Sequence, residues 1–107
     1  MNNIRKLLEK KVVEFNRVKC KIIIRPYCSG RIYMELQELT FGPAKSIARV
    51  TLDIDTVPII SDMIIVKSYR ENEGMYEALL KAEVIKECER KISVGNEFGL
   101  ICFLNLK

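Results

Sequence analysis

The chain has 107 residues, 49% of them hydrophobic and 30% charged, with a formal net charge of +4, four cysteines and no histidine. That length supports one core and therefore a single domain over residues 1–107, and the composition is far from the low-hydrophobicity signature of disorder. The absence of histidine removes the commonest general base near neutral pH and the commonest transition-metal ligand, so neither a cofactor nor a metal is expected.

Arg5, Lys6, Glu9, Lys10 and Lys11 leave no room for the apolar core of a signal peptide. The longest apolar tract, residues 57–66, is broken by Pro58, Ser61 and Asp62 and is too short for a membrane span. The expectation is a cytoplasmic protein with no membrane partner, in which the cysteines are free thiols.

Ile4, Leu7, Leu8 and Val12 recur at helical spacing behind Asn2 or Asn3 as cap, so a short amphipathic helix opens the chain, its other face basic. Between residues 18 and 25 the period changes to two. Val18, Cys20, Ile22 and Ile24 face one way, and Lys19, Lys21, Ile23 and Arg25 the other. An earlier start at Val12 requires a bulge or break near Asn16, where the alternation changes phase. Residues 26–30 carry turn chemistry and residues 31–38 alternate again, which predicts a hairpin. With a five-residue loop, Ile24 faces Ile32, Ile22 faces Met34, Cys20 faces Leu36, Lys21 faces Glu35 and Lys19 faces Gln37.

A turn at residues 40–43 precedes a third half-exposed strand, with Ala48, Val50, Leu52 and Ile54 inward and Arg49, Thr51 and Asp53 outward. Residues 63–67, apolar up to Lys67, show no distinct face, which fits a central strand or one lying beneath a helix, and are placed in the sheet. Met75, Ala78, Leu79 and Ala82 form a stripe that predicts a helix over about 72–83, capped by Asn72. Arg90, Ile92 and Val94, then Leu100, Cys102, Leu104 and Leu106, flank a turn at residues 95–97, so a closing hairpin at the sheet centre is expected. The fold class that results is α+β: an antiparallel sheet of about six strands with an N-terminal and an internal helix.

The run Tyr69, Arg70, Glu71, Asn72, Glu73, Gly74, Met75, Tyr76, Glu77, Ala78 and Leu79, followed by Gly95 and by Phe98, Gly99, Leu100, Ile101 and Cys102, carries a resemblance. Residues 69–106 resemble small uncharacterised proteins of a domain-of-unknown-function group associated with conjugative and other mobile elements of Gram-positive bacteria. That resemblance implies a cytosolic α+β protein, a helix between sheet strands, and an accessory DNA-transfer or regulatory setting. It carries no catalytic residue with it.

Cys20, Cys28, Cys88 and Cys102 contain no CxxC pair, and the expectation is structural thiols rather than zinc ligands. Cys28 stands apart, in a turn between Arg25 and Arg31, where cations favour a thiolate, but no histidine exists to act as its base. Asp53 with Asp55, and Glu71, Glu73 and Glu77, suit a strand end and the first turns of a helix better than paired-carboxylate chemistry. Residues 1–25 hold eight basic and two acidic side chains, against ten and twelve in residues 26–107, so the excess positive charge is N-terminal.

Elimination leaves a non-catalytic interaction module as the first expectation, for a protein partner or a homo-oligomer, with Lys19, Lys21, Arg25 and Tyr33 as contact surface. The second is a nucleic-acid-binding accessory protein that adds Arg5, Lys6, Lys10 and Lys11 as phosphate contacts. An enzyme using Cys28 or a carboxylate pair is third.

Overall fold

The computed structural model describes residues 2–40, 42–43 and 45–107; Phe41 of the expected turn and the side chain of the expected cap Asn2 lie outside the described residues. The opening helix, α1 (Asn2–Leu8), is shorter than its apolar spacing suggests. Leu8 is fully buried and Ile4 packs against the core, but Leu7 is 38% exposed. Val12 leaves the expected stripe, because it already belongs to β1 (Val12–Phe15) and faces outward.

The phase change near Asn16 is a hairpin turn. Phe15 pairs with Val18, the first residue of β2 (Val18–Pro26), and Asn16 and Arg17 between them have φ of 51° and 66°. Two left-handed residues give the turn whose twist matches the flanking strands. Pairing of β2 with β3 (Ile32–Glu38) is offset by two residues from the expected register: Ile24 faces Met34, Ile22 faces Leu36 and Cys20 faces Glu38. The cause lies in the turn, where the Tyr27 amide donates to the Arg31 carbonyl at 2.8 Å and centres the loop on Ser29 rather than Cys28. An even offset keeps each side chain on its face and changes only its partner. Lys21 thus faces Gln37, and Glu35 faces Ile23.

The third expected strand splits. β4 (Ser46–Arg49) pairs with β3, whereas β5 (Thr51–Leu52) pairs with β6 (Met63–Lys67). Val50 lies between them, its amide donating to the Met34 carbonyl at 2.9 Å and its carbonyl accepting from the Lys67 amide at 2.8 Å. One extended run therefore serves two antiparallel four-stranded sheets, ordered β1-β2-β3-β4 and β5-β6-β8-β7, where β7 is Ile85–Val94 and β8 is Glu97–Leu104. The fold is α+β as expected, with eight strands rather than about six, because β1 is added and one predicted strand becomes two. The switch of sheet also turns Thr51, expected outside, into the core at 0% exposure.

Asn72 is not a helix cap. It ends a 3-10 turn (Arg70–Asn72), is 2% exposed, and its side-chain amide donates to the Arg49 carbonyl at 2.6 Å and the Lys67 carbonyl at 3.1 Å. One buried amide thus bridges the last residue of β4 to the last residue of β6. The internal helix, α2 (Met75–Lys81), starts later than expected, behind Gly74 at φ 88°, and Ser68 Oγ accepts the Tyr76 amide at 2.9 Å. Glycine takes this left-handed entry without a Cβ penalty. Met75 and Leu79 enter the core beside Leu8, Ile22, Met34, Ile64, Val66 and Cys102. Among the described residues no helix is long and apolar enough to cross a membrane.

Only β8 of the closing hairpin is central; β7 is the outer strand. Both faces of β8 are buried, as its sequence suggested. Cys102 and Leu104 join the core, while Ile101 pairs with Ile65 on the opposite face, and these two are 0% and 1% exposed. Residues 53–62 explain that burial. They leave the sheet at β5 and reach its far side, where Arg90 Nη2 of β7 donates to the Pro58 carbonyl at 3.0 Å, so they cross over β6 and β8. Beneath them Gly99 is tight: a Cβ there would lie 2.9 Å from Ile65 Cγ2 and 3.3 Å from Ile92 Cγ1.

Two substitutions check this account. Asn72→Ala leaves two inter-sheet carbonyls without a donor and is expected to cost about 2–3 kcal/mol in urea unfolding, whereas loss of a mere helix cap costs about 1 kcal/mol. Gly99→Ala forces a methyl against buried isoleucine and is expected to cost about 1–3 kcal/mol by the same measurement.

Candidate interaction surface

The outer face of the first sheet carries alternate residues of four strands. Register sets them in rows: Arg25 beside Tyr33; Ile23, Glu35 and Arg49; Val12, Lys21, Gln37 and Ser46; and Glu14 beside Lys19. Neither helix covers this face, since Leu8, Met75 and Leu79 all pack into the core on its other side. Lys19, Arg25 and Arg49 are exposed, and Lys21 and Tyr33 are half-buried.

Glu35 organises the centre. It is 7% exposed, its Oε1 accepts Tyr33 OH at 2.7 Å, and its Oε2 accepts Gln37 Nε2 at 3.0 Å. Burial on its own raises a carboxyl pKa. Here the opposing hydrogen bonds from Tyr33, Gln37 and Ser46, with the Arg25 charge, outweigh it and hold Glu35 below the usual carboxylate range. Tyr33 responds in the opposite sense: burial first, then its bond to Glu35, push the phenol up. A tyrosine bonded to the residue two positions along its own strand has its ring laid along the sheet. Tyr27 meets that ring edge-on, with centroids 5.4 Å apart at 82°. Tyr27 is itself fixed by Thr51, whose Oγ1 and carbonyl lie 3.0 and 3.1 Å from its hydroxyl. Beside Tyr33 and Arg49 the face opens into a polar cleft of about 470 Å³, shared with Lys67, Glu71 and Asn72.

The four expected contact residues, Lys19, Lys21, Arg25 and Tyr33, thus share one face. Among the described residues none of the three cations makes a salt bridge, and the expected pairing of Lys21 with Glu35 is absent. The expected phosphate contacts do not act as a set. Lys11 turns away, its ammonium donating to the Glu83 carbonyl and lying 3.5 Å from the Asn105 carbonyl. Arg5 pairs with Glu9 at 3.6 Å, while Lys6 and Lys10 are exposed.

Cys28 is exposed at the tip of the β2–β3 hairpin. Its neighbour Arg31, the cation set beside it by sequence, donates instead to the carbonyls of Ile54 and Val57, both at 2.7 Å, and lies 3.7 Å from Asp53. Asp53 also accepts from Ser29 Oγ at 2.9 Å, so this carboxylate docks the hairpin tip onto the segment after β5. Glu71 pairs with Lys67. Burial, then Glu38, pushes the Cys20 thiol up.

Sequence reasoning passed over Glu35, Gln37, Tyr27 and Arg49 as parts of one surface. Their strand faces were readable from alternation; that β4 lies beside β3, which brings Arg49 to Glu35, was not. No family model, curated protein or solved structure matches the chain. The surface is therefore read from its own chemistry.

Glu35 ties the surface to pH. A carboxyl whose folded pKa is depressed contributes stability fully above its unfolded value, 4.5, and loses that contribution as pH falls through the folded value. Glu35→Gln is expected to cost about 1 kcal/mol at neutral pH, and to flatten the stability profile below the unfolded pKa, as measured by urea unfolding at a series of pH values.

Proposed function

We propose that this domain is a non-catalytic interaction module that docks an acidic protein segment on the outer face of its first sheet. The observation that carries the reading is the arrangement of Arg25 beside Tyr33, Arg49 one row on, and Lys21 and Lys19 further along the same face, which no helix covers. Lys19, Lys21 and Arg25 have no ion-pair partner among the described residues. Buried Glu35 fixes the neighbours that a partner would meet, which lowers the ordering cost of binding. The guanidinium forks of Arg25 and Arg49 suit carboxylates, and the Tyr33 ring supplies apolar contact.

Nucleic acid is the second reading, because the same cations suit phosphates. Three features favour protein. Glu14 and Glu35 stand among the cations, Lys11 is engaged with backbone carbonyls, and the ring of Tyr33 is tied down by Glu35 rather than free to stack on a base. Self-pairing through the outer strand β7 is disfavoured by two register irregularities and by charges at Lys86, Glu87, Glu89, Arg90 and Lys91.

The test is fluorescence anisotropy with a labelled oligoglutamate peptide and, separately, a duplex and a single-stranded DNA oligonucleotide. Peptide binding is expected, weakening with salt and falling about tenfold or more in Arg25→Glu or Arg49→Glu. Tighter salt-dependent binding of DNA selects the second reading. Binding of neither probe, or binding indifferent to both substitutions, overturns the surface.

A further inference from the structure

We propose that Cys88 and Cys102 are a reversible thiol–disulfide site, closing a cross-strand bond between β7 and β8 when the protein meets a small-molecule disulfide. Cys88 and Cys102 are direct partners in the antiparallel register. Neither of the other cysteines has this relation to a thiol, since Cys20 faces Val13 and Glu38, and Cys28 lies in the hairpin loop.

The kind of pair matters. The Cys88 amide donates to Tyr76 OH at 2.8 Å, so it does not donate across the ladder to β8. A directly opposed pair without ladder hydrogen bonds brings its Cα atoms to about 4.5 Å, inside the range of about 4.4–6.8 Å that a disulfide spans. Both side chains turn to the core face, where Cys88 packs against the cluster that holds Cys102; in the reduced state the Cys88 thiol donates to the Arg90 carbonyl at 3.2 Å and the Cys102 thiol to the Leu100 carbonyl at 3.7 Å. Register irregularities on both sides of Cys88 give this stretch of β7 latitude to adjust as the bond forms.

Exposure assigns the order of events. Cys88 is half-buried and within reach of a reagent, whereas Cys102 is fully buried. Cys88 loses its proton to solvent and its thiolate attacks one sulfur of the disulfide RSSR, forming a mixed disulfide and releasing RS⁻. Cys102 then loses its proton and attacks the Cys88 sulfur, releasing the second RS⁻. Two protein thiols are oxidised by two electrons and one RSSR becomes two RSH. In the dithiol, burial and then the neighbouring Cys88 push the Cys102 thiol up to about 12, and Cys88 is the more accessible of the two, so the mixed disulfide forms on Cys88 before the ring closes. The product ties the outer strand to the central one, beside α2 through Tyr76.

The test treats the full chain with oxidised glutathione, blocks remaining thiols and maps peptides by mass spectrometry. Cys88 is expected to be joined to Cys102 within a monomer of unchanged circular dichroism, whether or not the exposed Cys28 also takes up glutathione. A glutathione adduct on Cys88 is expected to precede the bond. Cys28→Ser leaves the result intact, and Cys88→Ser abolishes it without disturbing the buried Cys102. Adducts on Cys88 that never close, a bond between other cysteines, cross-linked dimers alone, or closure only with loss of the circular dichroism signal each overturn the proposal.

Discussion

The backbone of Val50 hydrogen-bonds to two sheets at once, its amide to Met34 and its carbonyl to Lys67. The rest of the architecture follows from that crossing. A chain that passes between sheets in a dry interior carries polar groups that water does not reach, and each needs a protein partner. Thr51 and Asn72 supply them. Thr51 Oγ1 accepts the Met34 amide at 3.1 Å, and Asn72 donates to the carbonyls of Arg49 and Lys67. Among the described residues no buried side-chain nitrogen or oxygen lacks a partner.

Once the sheets are joined there, their inner faces share one core, into which α1 turns Leu8 and α2 turns Met75 and Leu79. The two outer faces then differ for a physical reason. That of the second sheet is apolar around Ile65 and Ile101 and is roofed by residues 53–62, while that of the first alternates to Lys, Arg, Tyr and Glu and needs no cover. The hairpin tip at residues 27–31 links the two regions through Tyr27 to Thr51 and Arg31 to Ile54 and Val57. The outer face of the first sheet, the proposed docking surface, is thus anchored to the same crossing that organises the core.

The strand faces of residues 18–25 and 31–38 were legible because period-two alternation is a local property of the chain. So were Lys19, Lys21, Arg25 and Tyr33 as a common face, and the buried character of β8. The register of the first hairpin was not, because the Tyr27 to Arg31 hydrogen bond, rather than the apolar pattern, sets the loop, and a two-residue offset leaves that pattern equally satisfied. Asn72 shows the harder limit. Next to a helical stripe an asparagine reads as a cap, and only the position of Arg49, 23 residues away in the chain, makes it an inter-sheet clamp.

What the sequence by itself determined is the α+β class, the faces of the longer strands, the approximate places of both helices and the location of the excess positive charge before residue 26. Tertiary structure decided which of those charges act together. It withdrew Lys11 to backbone carbonyls, brought Arg49 beside Glu35, and set Cys88 against Cys102. The reason is that alternation and amphipathicity report on neighbours along the chain, whereas a surface is assembled from strands whose order, register and crossing depend on hydrogen bonds between distant residues.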